Sequence, residues 1–84
     1  MWFVYILKCI DGSLYTGSTN DLEKRFETHK SGKGGKYTRS HKPVRIVFSE
    51  KYDNKIIALR KEREIKLLTR KEKLEYINGK KSPR

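Results

Sequence analysis

Trp2-Phe3-Val4-Tyr5-Ile6-Leu7-Lys8-Cys9 and Ser13-Leu14-Tyr15-Thr16-Gly17-Ser18-Thr19 flank the short segment Ile10-Asp11-Gly12. An Asp-Gly pair between apolar runs is the strongest short-range signal for a β-hairpin, so the two runs are read as paired strands. The first is apolar on both alternating faces, with Trp2, Val4 and Ile6 on one and Phe3, Tyr5, Leu7 and Cys9 on the other. A strand apolar on both sides belongs in the middle of a sheet, covered on each face by later elements.

Those elements follow in order. Thr19-Asn20-Asp21 offers caps for a helix over roughly 21–31, with acids in its first turn and Lys30 in its last. Leu22, Phe26 and His29 share a stripe, and Arg25 borders it. Residues 30–45 read as a loop broken by Ser31-Gly32 and Gly34-Gly35. Pro43 introduces a third strand, Val44 to Tyr52, in which Val44, Ile46 and Phe48 alternate with Arg45, Val47 and Ser49. Asp53-Asn54 caps a second helix, roughly 54–67, whose buried stripe is Ile57, Ala58, Ile65 and Leu68. Glu62 sits on or beside that stripe, and Glu64 points to solvent. Thr69 and Glu72 form a capping box for a last helix with Leu74 and Ile77 inward, ended by Gly79. The expected fold is α+β: a three-stranded, mainly antiparallel sheet flanked by helices, in the order ββαβαα. Residues 1–84 are read as one domain with a frayed basic tail at 80–84.

The chain has 84 residues, and a domain of that size buries only roughly 60–65% of its unfolded surface. Charged residues (37%) outnumber apolar ones (35%), which leans toward disorder, but nine aromatic residues and the periodic segments argue for a folded core. The net charge of +11 points to a polyanionic partner. No apolar run approaches the ~20 residues of a membrane-spanning helix, and no basic stretch precedes the apolar N-terminus as in a signal peptide. The single Cys9 makes no internal disulfide and no cysteine-based zinc site. It is read as a small buried hydrophobe in a reducing, cytoplasmic setting.

The 30–45 segment carries Lys30, Lys33, Lys36, Arg39, Lys42 and Arg45 at every third position, with Tyr37 and His41 interleaved and no acid. Such a run is ordinarily a solvated basic loop. It is also what a phosphate-tracking surface requires, with Tyr37 able to stack on a base and glycine amides able to approach an anion.

Phe3-Val4-Tyr5, then Tyr15-Thr16-Gly17, then Arg25 and Glu62 in that order resemble the GIY-YIG nuclease superfamily, in particular its small single-domain members. The resemblance covers nearly the whole chain. Phe3 stands where the family has its first glycine and Thr16 where it has the second isoleucine; both tyrosines and Gly17 are kept. The resemblance implies a divalent-metal-dependent endonuclease hydrolysing DNA phosphodiesters. It implies Mg²⁺ or Mn²⁺ as cofactor, Glu62 as the metal ligand, and DNA, or RNA, as partner, with no small-molecule cofactor and no membrane. It further implies Arg25 on the scissile phosphate, Tyr5 or Tyr15 positioning the water or acting as base, and His29 as an alternative base. Gly17, Lys33, Lys36, Tyr37 and Arg39 are assigned to substrate binding. The chemistry is consistent with those residue types. Mg²⁺ keeps several waters and needs only one or two carboxylates, and Arg supplies a planar fork to a phosphate. A tyrosine needs nearby positive charge to act as a phenolate. Two other readings use the same residues: a nucleic-acid-binding module of this fold without turnover, and a basic protein that engages RNA or ribosomes.

A shared site requires both tyrosines on one face of the sheet. A two-residue Asp11-Gly12 turn would place Tyr15 opposite Lys8 and the two phenols on opposite faces. An odd-length connection or a bulge near Asp11-Gly12-Ser13 is therefore expected, with Cys9 facing Tyr15, Leu7 facing Gly17 and Tyr5 facing Thr19. Gly17 would then leave an open spot beside both rings, bordered by Arg25, His29 and Glu62.

Overall fold

A computed structural model describes residues 1–79, the side chain of Tyr37 excepted. The predicted frayed tail at 80–84 lies outside the described residues. Strand β1 (Trp2–Cys9) and strand β2 (Leu14–Thr19) are joined by a turn in which Cys9 and Ser13 close a three-residue loop, Ile10-Asp11-Gly12. The Gly12 N–H donates to the Cys9 carbonyl (2.8 Å) and the Cys9 N–H to the Ser13 carbonyl (2.9 Å). Gly12 has φ +86°, the left-handed conformation that closes a type I turn with a bulge. Asp11 braces the turn by accepting from the Ser13 N–H and hydroxyl. The connection is odd, as the shared-face argument requires, but the pairing differs from that expected. Tyr5 faces Gly17, Leu7 faces Tyr15, and Phe3 faces Thr19. The local turn hydrogen bonds select this register among those that keep both tyrosines on one face.

Strand β3 (Pro43–Tyr52) pairs with the other edge of β1, giving the antiparallel order β2-β1-β3. The register shifts between Ile6 and Leu7 and again between Lys8 and Cys9, so the alternation expected along β3 is interrupted. Phe48 faces the core beside Ile6, Val47 also packs there, and Val44 is exposed.

Helix α1 (Leu22–Lys30) starts at the Asp21 side chain, which accepts from the Lys24 N–H. Residues 30–45 are not all loop. A short helix, α2 (Lys36–Ser40), interrupts them because Thr38 is buried and anchors one turn against the rest. Helix α3 (Lys55–Lys66) is capped by Asn54, and α4 (Arg70–Gly79) by the reciprocal Thr69–Glu72 box.

Val4, Ile6, Phe48, Ala58 and Ile65 form the apolar core between the sheet and α3, closed by Tyr76 and Ile77 of α4. Two members of the expected inner stripes lie outside it: Ile57 and Leu74 are exposed, and Tyr76 packs on Phe48 instead (ring centroids 5.1 Å). No helix among the described residues is long and apolar enough to cross a membrane.

Candidate active site

The register puts Tyr5, Leu7, Tyr15 and Gly17 on the face of the sheet that α1 covers, and Val4, Ile6, Thr16 and Ser18 on the face of α3. On the first face the rings of Tyr5, Tyr15 and His29 form a cluster. Ring centroids are 6.4 Å apart for Tyr5–Tyr15, 6.0 Å for Tyr5–His29 and 5.1 Å, edge-on, for Tyr15–His29. Gly17 is buried beneath Tyr5. A Cβ there would sit 2.5 Å from the phenol oxygen, so the expected open spot beside Gly17 is filled by the Tyr5 ring itself.

His29 is 1% exposed, and both of its nitrogens are engaged. Nε2 is 3.0 Å from the Tyr5 phenol oxygen and Nδ1 is 2.7 Å from Thr38 Oγ1. One tautomer serves this chain with the Tyr5 hydroxyl donating to Nε2 and Nδ1–H donating to Thr38; the other reverses both bonds. Burial, with the Arg25 charge second, pushes the His29 pKa below its ordinary value, so the imidazole is neutral at pH 7. Burial also pushes the Tyr5 phenol well above the usual tyrosine value. Tyr15 and Glu62 add to that rise and Arg25 opposes it.

The end of α1 shapes the pocket around the imidazole. Gly32, at φ +84°, reverses the chain while its N–H donates to the His29 carbonyl and the Lys33 N–H to the Thr28 carbonyl. The reversal lays Gly34 flat on the imidazole, where any side chain would overlap the ring. Lys33, Lys36 and Arg39 are exposed around this contact, as is Arg25 on α1.

Glu62 reaches the same place from the other face. Its side chain is 15% exposed; Oε1 accepts from the Ser18 hydroxyl (2.5 Å) and Oε2 pairs with Lys66 Nζ (2.7 Å). Ser18 and Gly17 are neighbours on an edge strand and point to opposite faces, so the site straddles the β2 edge. Arg25 from one side and Glu62 from the other both act electrostatically on the Tyr5 phenol. Glu64 is exposed and pairs with Lys61.

Among the described residues no three His, Cys, Asp or Glu side chains converge. One carboxylate at a partly buried edge, already drawing a lysine ammonium, fits a hard cation that keeps most of its waters, provided the half-exposed Lys66 swings away. It does not fit a cation that needs a closed protein cage.

The sequence brought Tyr5, Tyr15, Arg25, His29 and Glu62 forward together. Thr38, Gly34 and Ser18 escaped it. Thr38 had one sign, as the uncharged β-branched residue among exposed basic ones. Ser18 had only its place next to Gly17.

The GIY-YIG catalytic domain model matches residues 1–75. A UPF0213 protein of Staphylococcus saprophyticus is 49% identical over 76 residues, 90% of this chain and 93% of that one. A UPF0213 protein of Clostridium perfringens is 54% identical over 80 residues, 95% and 86% of the two chains. The solution NMR structure of a UPF0213 protein from Bacillus halodurans superposes with a TM-score of 0.62 at 45% identity, covering 99% of this chain and 89% of that one. The chain belongs to the GIY-YIG family.

Proposed function

We propose that the protein is a divalent-metal-dependent endonuclease that hydrolyses phosphodiester bonds in DNA. The observation that carries the reading is the Tyr5 phenol, in contact with a neutral imidazole and influenced by both Arg25 and Glu62. Hydrolysis requires that a water lose a proton as its oxygen attacks phosphorus, and that the bond to the leaving oxygen break. Tyr5 alone is too weak an acid to ionise, but His29 Nε2 can take its proton as Tyr5 takes one from the water. In the tautomer whose Nδ1–H donates to Thr38, Nε2 is free to accept. In this role His29 works through Tyr5, because both of its nitrogens are already engaged, Nε2 by the Tyr5 phenol and Nδ1 by Thr38. Tyr15, partly exposed and packed edge-on to His29, orients the water. Arg25 grips the phosphate with its fork, and Lys33, Lys36 and Arg39 hold the flanking backbone. Glu62 would hold Mg²⁺ or Mn²⁺, which supplies Lewis acidity to the phosphate and the leaving oxygen.

The test is cleavage of plasmid and branched DNA with Mg²⁺, Mn²⁺ or chelator. Glu62→Gln should abolish metal-dependent cleavage and keep DNA binding equal or tighter, since it removes a negative charge. Glu64→Gln should cleave normally. Full activity in Glu62→Gln would refute the metal assignment. The engagement of both Glu62 oxygens by Ser18 and Lys66 favours a second reading, a DNA-binding module without turnover. The same assay separates the two: binding without cleavage under every metal supports the second.

A further inference from the structure

Behind the site, on the face of α3 and α4, the row Leu14–Lys8–Arg45 runs across the three strands. Lys8 and Arg45 are directly opposed and both exposed. Two like charges at such a pair repel. Arg70, at the start of α4, donates from Nη1 to the Gly12 carbonyl (2.7 Å), which fixes its guanidinium over the hairpin turn, and among the described residues its other N–H groups meet no acceptor. These three cations line a groove of ≈ 360 Å³ floored by Leu14 and Leu74. A smaller cleft shares Leu14 and Arg70 and adds Lys73. No acid lines either, and among the described residues none of the four cations pairs with a carboxylate.

We infer that this groove binds the phosphodiester backbone of a second nucleic-acid segment, distinct from the one taken by the tyrosine face. A single small anion cannot meet four cations spread over two adjoining clefts, whereas a chain of phosphates presents charge at regular intervals. The apolar floor suits sugar edges between the phosphates. The groove and the phenols lie on opposite faces of one sheet, so a straight segment seated on one does not reach the other. The protein bridges two segments, or two arms of one branched molecule. Bridging does not depend on cleavage, and a protein without turnover would still show it.

The test immobilises one short DNA duplex on beads, adds the full chain with chelator, and measures capture of a second, labelled duplex. Lys8→Glu replaces a repelling pair by an attracting one, so the thermal midpoint should hold or rise. Capture should fall about tenfold, while cleavage of a single duplex with Mg²⁺ stays at the level of the unaltered protein. Lys71→Glu makes the same change in net charge on α4 outside the groove and should leave capture within about twofold. The inference is overturned if the unaltered protein captures no second duplex, if Lys8→Glu captures as well as it does, or if Lys71→Glu loses as much. A cleavage-deficient chain that bridges normally would overturn the nuclease reading and leave this one standing.

Discussion

Val4 and Ile6 look one way from β1, and Tyr5 looks the other. On the α3 side the neighbours are Phe48, Ala58 and Ile65, all apolar, and the contact is worth what its area removes from water, about 25 cal/mol per Å². On the α1 side the buried groups are a phenol, an imidazole and a threonine hydroxyl joined end to end. Their burial is tolerable only while each hydrogen bond is made. The apolar packing of one face therefore stabilises the fold without regard to pH, and the hydrogen-bonded chain of the other depends on it. A strand apolar on both alternating faces at the level of composition is chemically two-sided in space.

The contrast can be broken most strongly at Ile65, 1% exposed in the apolar face. Ile65→Ala should cost about 2–5 kcal/mol in denaturant unfolding, and cleavage measured well below the new midpoint should persist. Gly17→Ala tests the other face. Its new Cβ must displace the Tyr5 ring and break the bond to His29. Unfolding should show a loss of about 1–3 kcal/mol, with cleavage falling further than stability explains. A variant as stable as the parent would mean that the ring has room to move.

The two faces should also separate by pH. The folded pKa of His29 lies below the unfolded one, so the unfolded chain takes up the proton first as pH falls below about 6.5. The stability present at pH 7 and above should decline on acidification through that value. His29→Gln should flatten this part of the profile in thermal melts from pH 8 to 5, whereas Ile65→Ala should only lower the whole curve. The smallest effect is expected at Thr16, whose hydroxyl is buried against the apolar side without a hydrogen-bond partner. Thr16→Val keeps the shape and removes the orphan, so stability should rise by about 1 kcal/mol. A fall would reveal a partner for that oxygen.

The hairpin, the central position of β1 and the caps at Asp21, Asn54 and Thr69 were legible because each rests on local chemistry. The parity of the β1–β2 pairing was legible too, since only an odd connection puts both tyrosines on one face. The register itself was not. It depends on which residue adopts the left-handed conformation, and with Gly12 in that role Ser13, not Tyr15, lies opposite Cys9. Helix α2 was hidden by the glycines before it. Its formation depends on Thr38 finding His29, a contact across the fold that no local pattern announces. Ile57 and Leu74 show the limit of periodicity: helical spacing marks an apolar stripe, and the neighbours decide how much of it is covered. Glu62 was placed on the right helix, but its approach around the edge of β2 by way of Ser18 follows from the pairing alone.

Gly17 and Tyr5 lie on different strands, yet they form one steric object. The tyrosine can lie flat only where its partner lacks a side chain, and the glycine has its neighbour's ring in place of one of its own. In an engineered or diverging chain the two positions are a single choice. A larger residue at 17 becomes acceptable only together with a smaller one at 5, and the swap removes the phenol that the imidazole holds. What looks in the sequence like two short motifs separated by a turn is inherited as a lock and its key.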